Sequence, residues 1–195
     1  MTKHLTRDDL YSLEQYARER PEFRARVMDH KKRRTVHLGD HATLYFEDRL
    51  TVQYQIQEML RVEKIFEPDG IREELDSYNP LIPDGGNLKA TFMIEYPDVD
   101  QRKRMLSRLV GIEDRVWMKV EGFDPVYPIA DEDLERDTED KTSSVHFLRF
   151  EFSDPMRKAA KSGAGMSAGI EHPSYTETLD PLPEDIRRTL AADFE

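Results

Sequence analysis

The chain has 195 residues, 37% hydrophobic and 35% charged, with no cysteine and a net charge of −11. That length supports one substantial core and leaves little for a second, while nine Phe, eight Tyr and Trp117 exclude disorder for the bulk. The missing cysteines exclude disulfides, thiolate nucleophiles, cysteine-held iron–sulfur clusters and thiolate zinc, so any metal must be held by His, Asp or Glu.

No apolar run approaches the roughly 20 residues that span a bilayer, and MTKHLTRDDL lacks the apolar segment of a signal peptide. The expectation is a cytoplasmic protein without a membrane partner. The first fifty residues carry 11 basic and 9 acidic side chains, against 18 and 31 in the remainder. A basic entry on an acidic body suggests a partner of complementary charge, or a homo-oligomer in which the N-terminal helices meet a neighbour's acidic surface.

Thr6 followed by Asp9 reads as a helix start, with Asp in place of the usual Glu or Gln. A first helix is expected over 7–19 and a second over 22–32, with Pro21 at its first turn. The tract His30-Lys31-Lys32-Arg33-Arg34 places cations at a helix C-terminus. With an acidic body and no stacking aromatics nearby, it does not read as a nucleic-acid interface. Residues 35–38 and 42–46 flank Gly39-Asp40 as a hairpin, and His37 and His41 are hairpin residues because Gly39 argues against a helix between them.

Residues 50–60, LTVQYQIQEML, alternate like a strand only from Val52 to Gln57. A helix over 48–66 orders the whole stretch, gathering Val52, Ile56, Met59, Leu60 and Phe66 in one apolar arc. A break at Pro68-Asp69-Gly70, a short helix over 71–77 and a Pro- and Gly-rich loop over 79–87 follow. Strands are expected over 88–96, 114–120 and 144–152, with an edge strand at 125–129 and a helix over 99–109. The acidic run 131–137 lacks the glycine and terminal Glu of an EF-hand loop and reads as a solvated helix. A helix over 154–161 closed by Gly163, a strand through Ile170 and a terminal helix over 183–192 complete the chain. The segment Gly163–Gly169 lacks the Lys-Ser/Thr of a P-loop.

The fold class is α+β: a single domain over 1–195, with an N-terminal helical pair (1–34) and a body (35–195). In the body an antiparallel sheet of about four strands packs on the long central helix. On that helix Glu58 and Glu63 are carboxylates in apolar company, and each must find a cation, a hydroxyl or a proton. His146 shares a strand face with Leu148, Phe150 and Phe152. A bundle-type diiron site is excluded because no Glu-x-x-His occurs, and because Glu47 and Glu58 stand about 16 Å apart along a helix. A mononuclear site remains open. Its candidate catalytic residues are Glu58, His146 and Tyr54, and its candidate ligands are Glu58, Glu63, His37 and His146, a set that suits iron, manganese or zinc.

The strings FEDRLTVQYQIQEMLRVEKIF, NPLIPDGGNLKAT, GIEDRV and EDKTSSVHFLRFEF resemble an uncharacterised bacterial family, domain of unknown function 3501, over nearly the whole chain. The family has no assigned activity, so the resemblance assigns no catalytic residue. It implies an association with rubrerythrin-like proteins and with iron–sulfur oxidoreductases of the heterodisulfide-reductase type, hence with peroxide or redox metabolism. The first functional expectation is therefore an accessory or interaction protein of such a system. The alternative is a small enzyme, with or without a metal, built on the His/Glu set.

Overall fold

The computed structural model describes residues 4–195. Thr6 does receive its reciprocal cap from Asp9, whose Oδ2 accepts from the Thr6 N–H at 2.8 Å and from its hydroxyl at 3.0 Å. The cap opens only a 3-10 turn, Arg7–Asp9. The first helix, α1 (Leu13–Lys32), starts at Ser12, whose hydroxyl accepts from the Gln15 N–H, and it runs through Pro21. The expected helical pair is thus one helix. Interior proline costs about 3 kcal/mol, but Tyr16 before it and Phe23 and Val27 after it lie on one buried face. A break at Pro21 would turn that face away from its partners.

Strands β1 (Thr35–His37) and β2 (Ala42–Phe46) form the expected hairpin, with Gly39 at φ 73° in its turn. The disputed stretch is helical: α2 (Arg49–Val62) is capped by Asp48, which accepts from the Thr51 N–H while its own N–H donates to the Thr51 hydroxyl, each at 2.9 Å. The helix ends four residues before the expected boundary because Lys64 turns left-handed at φ 54°, leaving Phe66 70% exposed. α3 (Pro68–Tyr78) then takes Pro68 as its first residue, so the expected break is a helix start.

β3 (Asn87–Ile94) leads to α4 (Val99–Arg108), β4 (Val116–Val120) and a two-residue β5 (Ile129–Ala130). Residues 131–142, expected to open as a helix, carry no regular structure. They lead into β6 (Val145–Glu151) and α5 (Asp154–Lys161), and β7 (Met166–His172), β8 (Tyr175–Leu179) and α6 (Glu184–Ala191) close the chain.

The strands make two antiparallel sheets, one of five in the order β1-β2-β3-β6-β5 and one of three in the order β4-β7-β8. The expectation of a single sheet of about four strands is corrected here: β3 and β6 do pair, but β4 joins β7 in the second sheet. β8 has no counterpart among the expected elements, whereas β7 is the expected strand through Ile170, although its sequence, MSAGIEH, is poor in large residues. Its Gly169 is required by packing, since a Cβ there would lie 2.5 Å from the Trp117 indole.

The inner faces of both sheets meet in one buried cluster that includes Leu44, Phe92, Phe150, Met118 and Ile170, closed by Leu190 of α6. Burial of such side chains contributes about 1.5–3 kcal/mol each. The central helix α2 uses Val52, Ile56 and Leu60 against Ile71 and Leu75 of α3, and Tyr54 against Tyr16, Phe23 and Val27 of α1. Among the described residues no helix is long and apolar enough to cross a membrane.

Candidate metal centre

The alternation of β6 puts His146 on the inner face with Leu148 and Phe150, opposite Phe92 of β3, with no exposed surface. Both ring nitrogens face oxygen. Nδ1 lies 2.6 Å from Oδ2 of Asp131, and Nε2 lies 2.8 Å from the Thr142 hydroxyl and 3.1 Å from the Ser143 carbonyl.

Asp131 reaches the ring because β5 pairs with β6 through Ala130 and Leu148, which brings the next residue level with Phe147. There its backbone is left-handed (φ 50°), its N–H donates to the Phe147 carbonyl, and its Oδ1 accepts from the Phe147 N–H at 2.9 Å. Arg136 donates to the same Oδ1 at 3.0 Å, forks onto Asp133, and stacks its guanidinium 4.6 Å from the Phe147 ring centre.

Two more carboxyl groups approach from the other side. Glu113 sits on the 3-10 turn Ile112–Arg115, entered through Gly111 at φ 80°. Its Oε2 is 3.9 Å from His146 Nε2 and, though buried, has no hydrogen-bond partner. Asp137 Oδ1 is also 3.9 Å from Nε2; the same oxygen accepts from the Thr142 hydroxyl, and Oδ2 accepts from the Gly111 N–H at 2.9 Å.

The electrostatics separate these two groups. Burial first, and then the adjoining Asp137 carboxylate, pushes the Glu113 carboxyl up to about 8. Burial works in the same upward direction on Asp137, but the Thr142 hydroxyl and Gly111 N–H hold it below its ordinary value. Glu113 is therefore a buried carboxyl short of a positive neighbour. One donor atom each from Glu113, Asp131 and His146 lies within 4.8 Å of the others. Metal–ligand bonds of about 2.0–2.2 Å require donors within roughly twice that distance of each other, so small side-chain shifts suffice. The donor set fits a divalent transition metal.

Of the residues singled out in the sequence, His146 alone lies in this cluster. Glu58 accepts from Arg20 Nε at 2.8 Å, from Arg20 Nη2 at 3.1 Å and from the Tyr16 hydroxyl at 2.6 Å. Arg20 foremost holds its carboxyl below the usual range. Tyr54 packs 6.2 Å from the Phe23 ring, with the Lys31 ammonium 5.5 Å from its own ring centre. Glu63 is the exposed C-cap of α2, and His37 is exposed, its Nδ1 3.1 Å from the Thr43 hydroxyl. The structure thus does not bring Glu58, Glu63, Tyr54 or His37 to His146, because α2 packs on α1 and α3 while His146 faces the inter-sheet core.

Glu113, Asp131 and Asp137 were not singled out as ligands. The acidic run 131–137 was conspicuous, but only the β5–β6 pairing shows that its first member, Asp131, turns inward.

The family described as "Protein of unknown function (DUF3501)" matches residues 4–194. The chain belongs to this family. The chain is similar to a novel protein of unknown function from Burkholderia pseudomallei K96243, known from a crystal structure. It is 55% identical to this chain, with complete coverage of both chains and a TM-score of 0.93. No curated protein matches.

Proposed function

We propose that this member of the DUF3501 family is a metal-binding protein whose ion is held by His146 and Glu113, with Asp131 or Asp137 completing the set. The observation that carries this reading is the buried, unpartnered Oε2 of Glu113, 3.9 Å from His146 Nε2. Pushed up to about 8, that carboxyl keeps a proton at neutral pH, and a cation is the neighbour that can take the proton's place. Where Asp137 completes the set, Asp131 is the carboxylate that orients the histidine from its far nitrogen, and the ion at Nε2 replaces the contacts to Thr142 and Ser143. Histidine with carboxylates suits iron, manganese and zinc. The association with rubrerythrin-like and iron–sulfur proteins that the family resemblance implies supports iron or manganese, and a place for the protein beside a redox system.

Elemental analysis of untagged protein, followed by calorimetric titration of the chelated and dialysed chain with manganese, iron(II) and zinc, tests this. About one equivalent is expected, and it should be lost in both Glu113→Gln and His146→Ala. Substoichiometric metal that is unchanged in the isosteric Glu113→Gln variant would rule the centre out.

A further inference from the structure

A cavity of about 780 Å³ opens where the three-stranded sheet meets the start of α6. It lies on the sheet face that points away from the inter-sheet core. On β4, Val116, Met118 and Val120 enter the core, so Trp117 and Lys119 face outward; on β7, Met166, Ala168 and Ile170 enter the core, so Ser167 and Gly169 face outward. The Trp117 indole lies over Gly169 and fills that part of the face. The open part begins at the next pair along, Lys119 and Ser167, which are direct cross-strand partners. Such partners hold their Cβ atoms about 4.5–5.5 Å apart on one face.

The third side is Asp180-Pro181-Leu182. After β8 this segment continues beside β7, where the Leu182 N–H donates to the Met166 carbonyl at 2.7 Å. Asp180 thereby stands at the cavity mouth next to Ser167.

The charges here fall into two groups. Glu184 and Arg187 satisfy each other through two 2.8 Å hydrogen bonds, and Glu121 accepts from the Gly165 N–H at 3.3 Å. The Lys119 ammonium, the Ser167 hydroxyl and the Asp180 carboxylate have no protein partner, although Ser167 is only 5% exposed. The Ser167 oxygen itself stays open to the cavity, so a ligand there takes the place of water.

From this geometry we infer that the cavity binds a small zwitterion of the amino-acid type, its carboxylate received by Lys119 and Ser167 and its ammonium by Asp180. A plain anion would face Glu121, Asp180 and Glu184 across the same space with only Lys119 uncommitted. A plain cation would leave Lys119 and the Ser167 hydroxyl unused. Only a ligand with both charges answers all three free groups. The volume lies within the range of small-molecule sites, about 300–1,000 Å³.

The site shares no residue with the metal centre. It can therefore be tested on the full chain whatever the outcome of the metal experiments. The measurement is a ¹⁵N–¹H correlation spectrum titrated with a mixture of the common L-amino acids and then with its members singly. Acetate and ethylammonium serve as half-ligand controls. Saturable movement of the Gly165, Ser167 and Asp180 amides is expected with at least one amino acid. Lys119→Met, Ser167→Ala and Asp180→Asn should each weaken it by about tenfold or more.

These side chains lie outside the core, so the variants should keep the dispersed spectrum of the parent. Should Lys119→Met not fold, Ser167→Ala and the exposed Asp180→Asn carry the test. The inference is overturned if no amino acid moves these amides up to about 10 mM, if acetate alone moves them as strongly, or if the folded variants bind like the parent.

Discussion

Two regions of the molecule each enclose a glutamate, and they solve its charge in opposite ways. In the helical layer Glu58 receives a fork from Arg20 and a hydroxyl from Tyr16, and its carboxyl is shifted down. Behind the five-stranded sheet Glu113 has a buried oxygen with no partner, faces His146 and Asp137, and is shifted up. A carboxylate with a complete set of donors is scaffold, because nothing is left for a ligand to satisfy. One that keeps an orphan oxygen beside an imidazole still has a bond to make, which is the ground for the role proposed for Glu113. The environment, not the residue type, separates the two roles.

The comparison breaks most visibly in metal binding. Glu113→Gln is expected to lower affinity for the preferred ion by about 100-fold or more, and Glu58→Gln to leave it unchanged, both read by competition with a chromogenic chelator. Equal loss in the two variants would erase the distinction. The converse experiment is on stability. Tyr16 is fully buried, and Tyr16→Phe removes its 2.6 Å hydrogen bond to the charged Glu58. That should cost about 1.5–3 kcal/mol in urea unfolding, without any effect on metal uptake.

Acid titration sharpens the same contrast. Arg20 lowers the Glu58 carboxyl below its ordinary 4.5, so the unfolded chain takes up this proton before the folded chain does. The stabilisation from the pair is complete above the unfolded value and disappears as pH falls through the folded one. Glu58→Gln should therefore be less stable than the parent at neutral pH, with the gap closing below pH 4.5. A gap that persists to low pH would assign the effect to packing rather than charge.

The helical layer was more legible in sequence than the proposed metal centre, for a physical reason. The 3.6-residue period of α2 is a local property, so its helical state could be decided from Asp48 to Phe66 alone, and the strand pattern of β6 could be read the same way around His146. The partners of those elements are not local. Arg20 meets Glu58 across 38 residues because α1 continues through Pro21, which local rules read as a boundary. Asp131 meets His146 through a two-residue strand too short to carry a pattern, and Glu113 arrives on a 3-10 turn with no period at all. Within β7, expected as a strand through Ile170, Ser167 and Gly169 are dictated by what lies across from them, Lys119 and Trp117, rather than by strand propensity.

The smallest expected effect concerns backbone strain, which the two regions also handle differently. Among the described residues the only non-glycine positions with positive φ are Lys64, at the end of the scaffold helix, and Asp131, beside His146. A left-handed residue with a Cβ costs on the order of 1 kcal/mol. At Asp131 that cost is offset because its N–H donates to the Phe147 carbonyl and its carboxylate oxygens accept from the Phe147 N–H, Arg136 and His146, so Asp131→Gly should lose stability despite its freer backbone. At Lys64 the exposed side chain has no hydrogen bond or ion pair to lose, so Lys64→Gly should gain about 0.5–1 kcal/mol in urea unfolding. Opposite signs for the same substitution would show that the strain at Asp131 is held in place by the site it serves, while that at Lys64 only ends a helix; a gain in both would remove the case for Asp131 as the group that fixes the histidine.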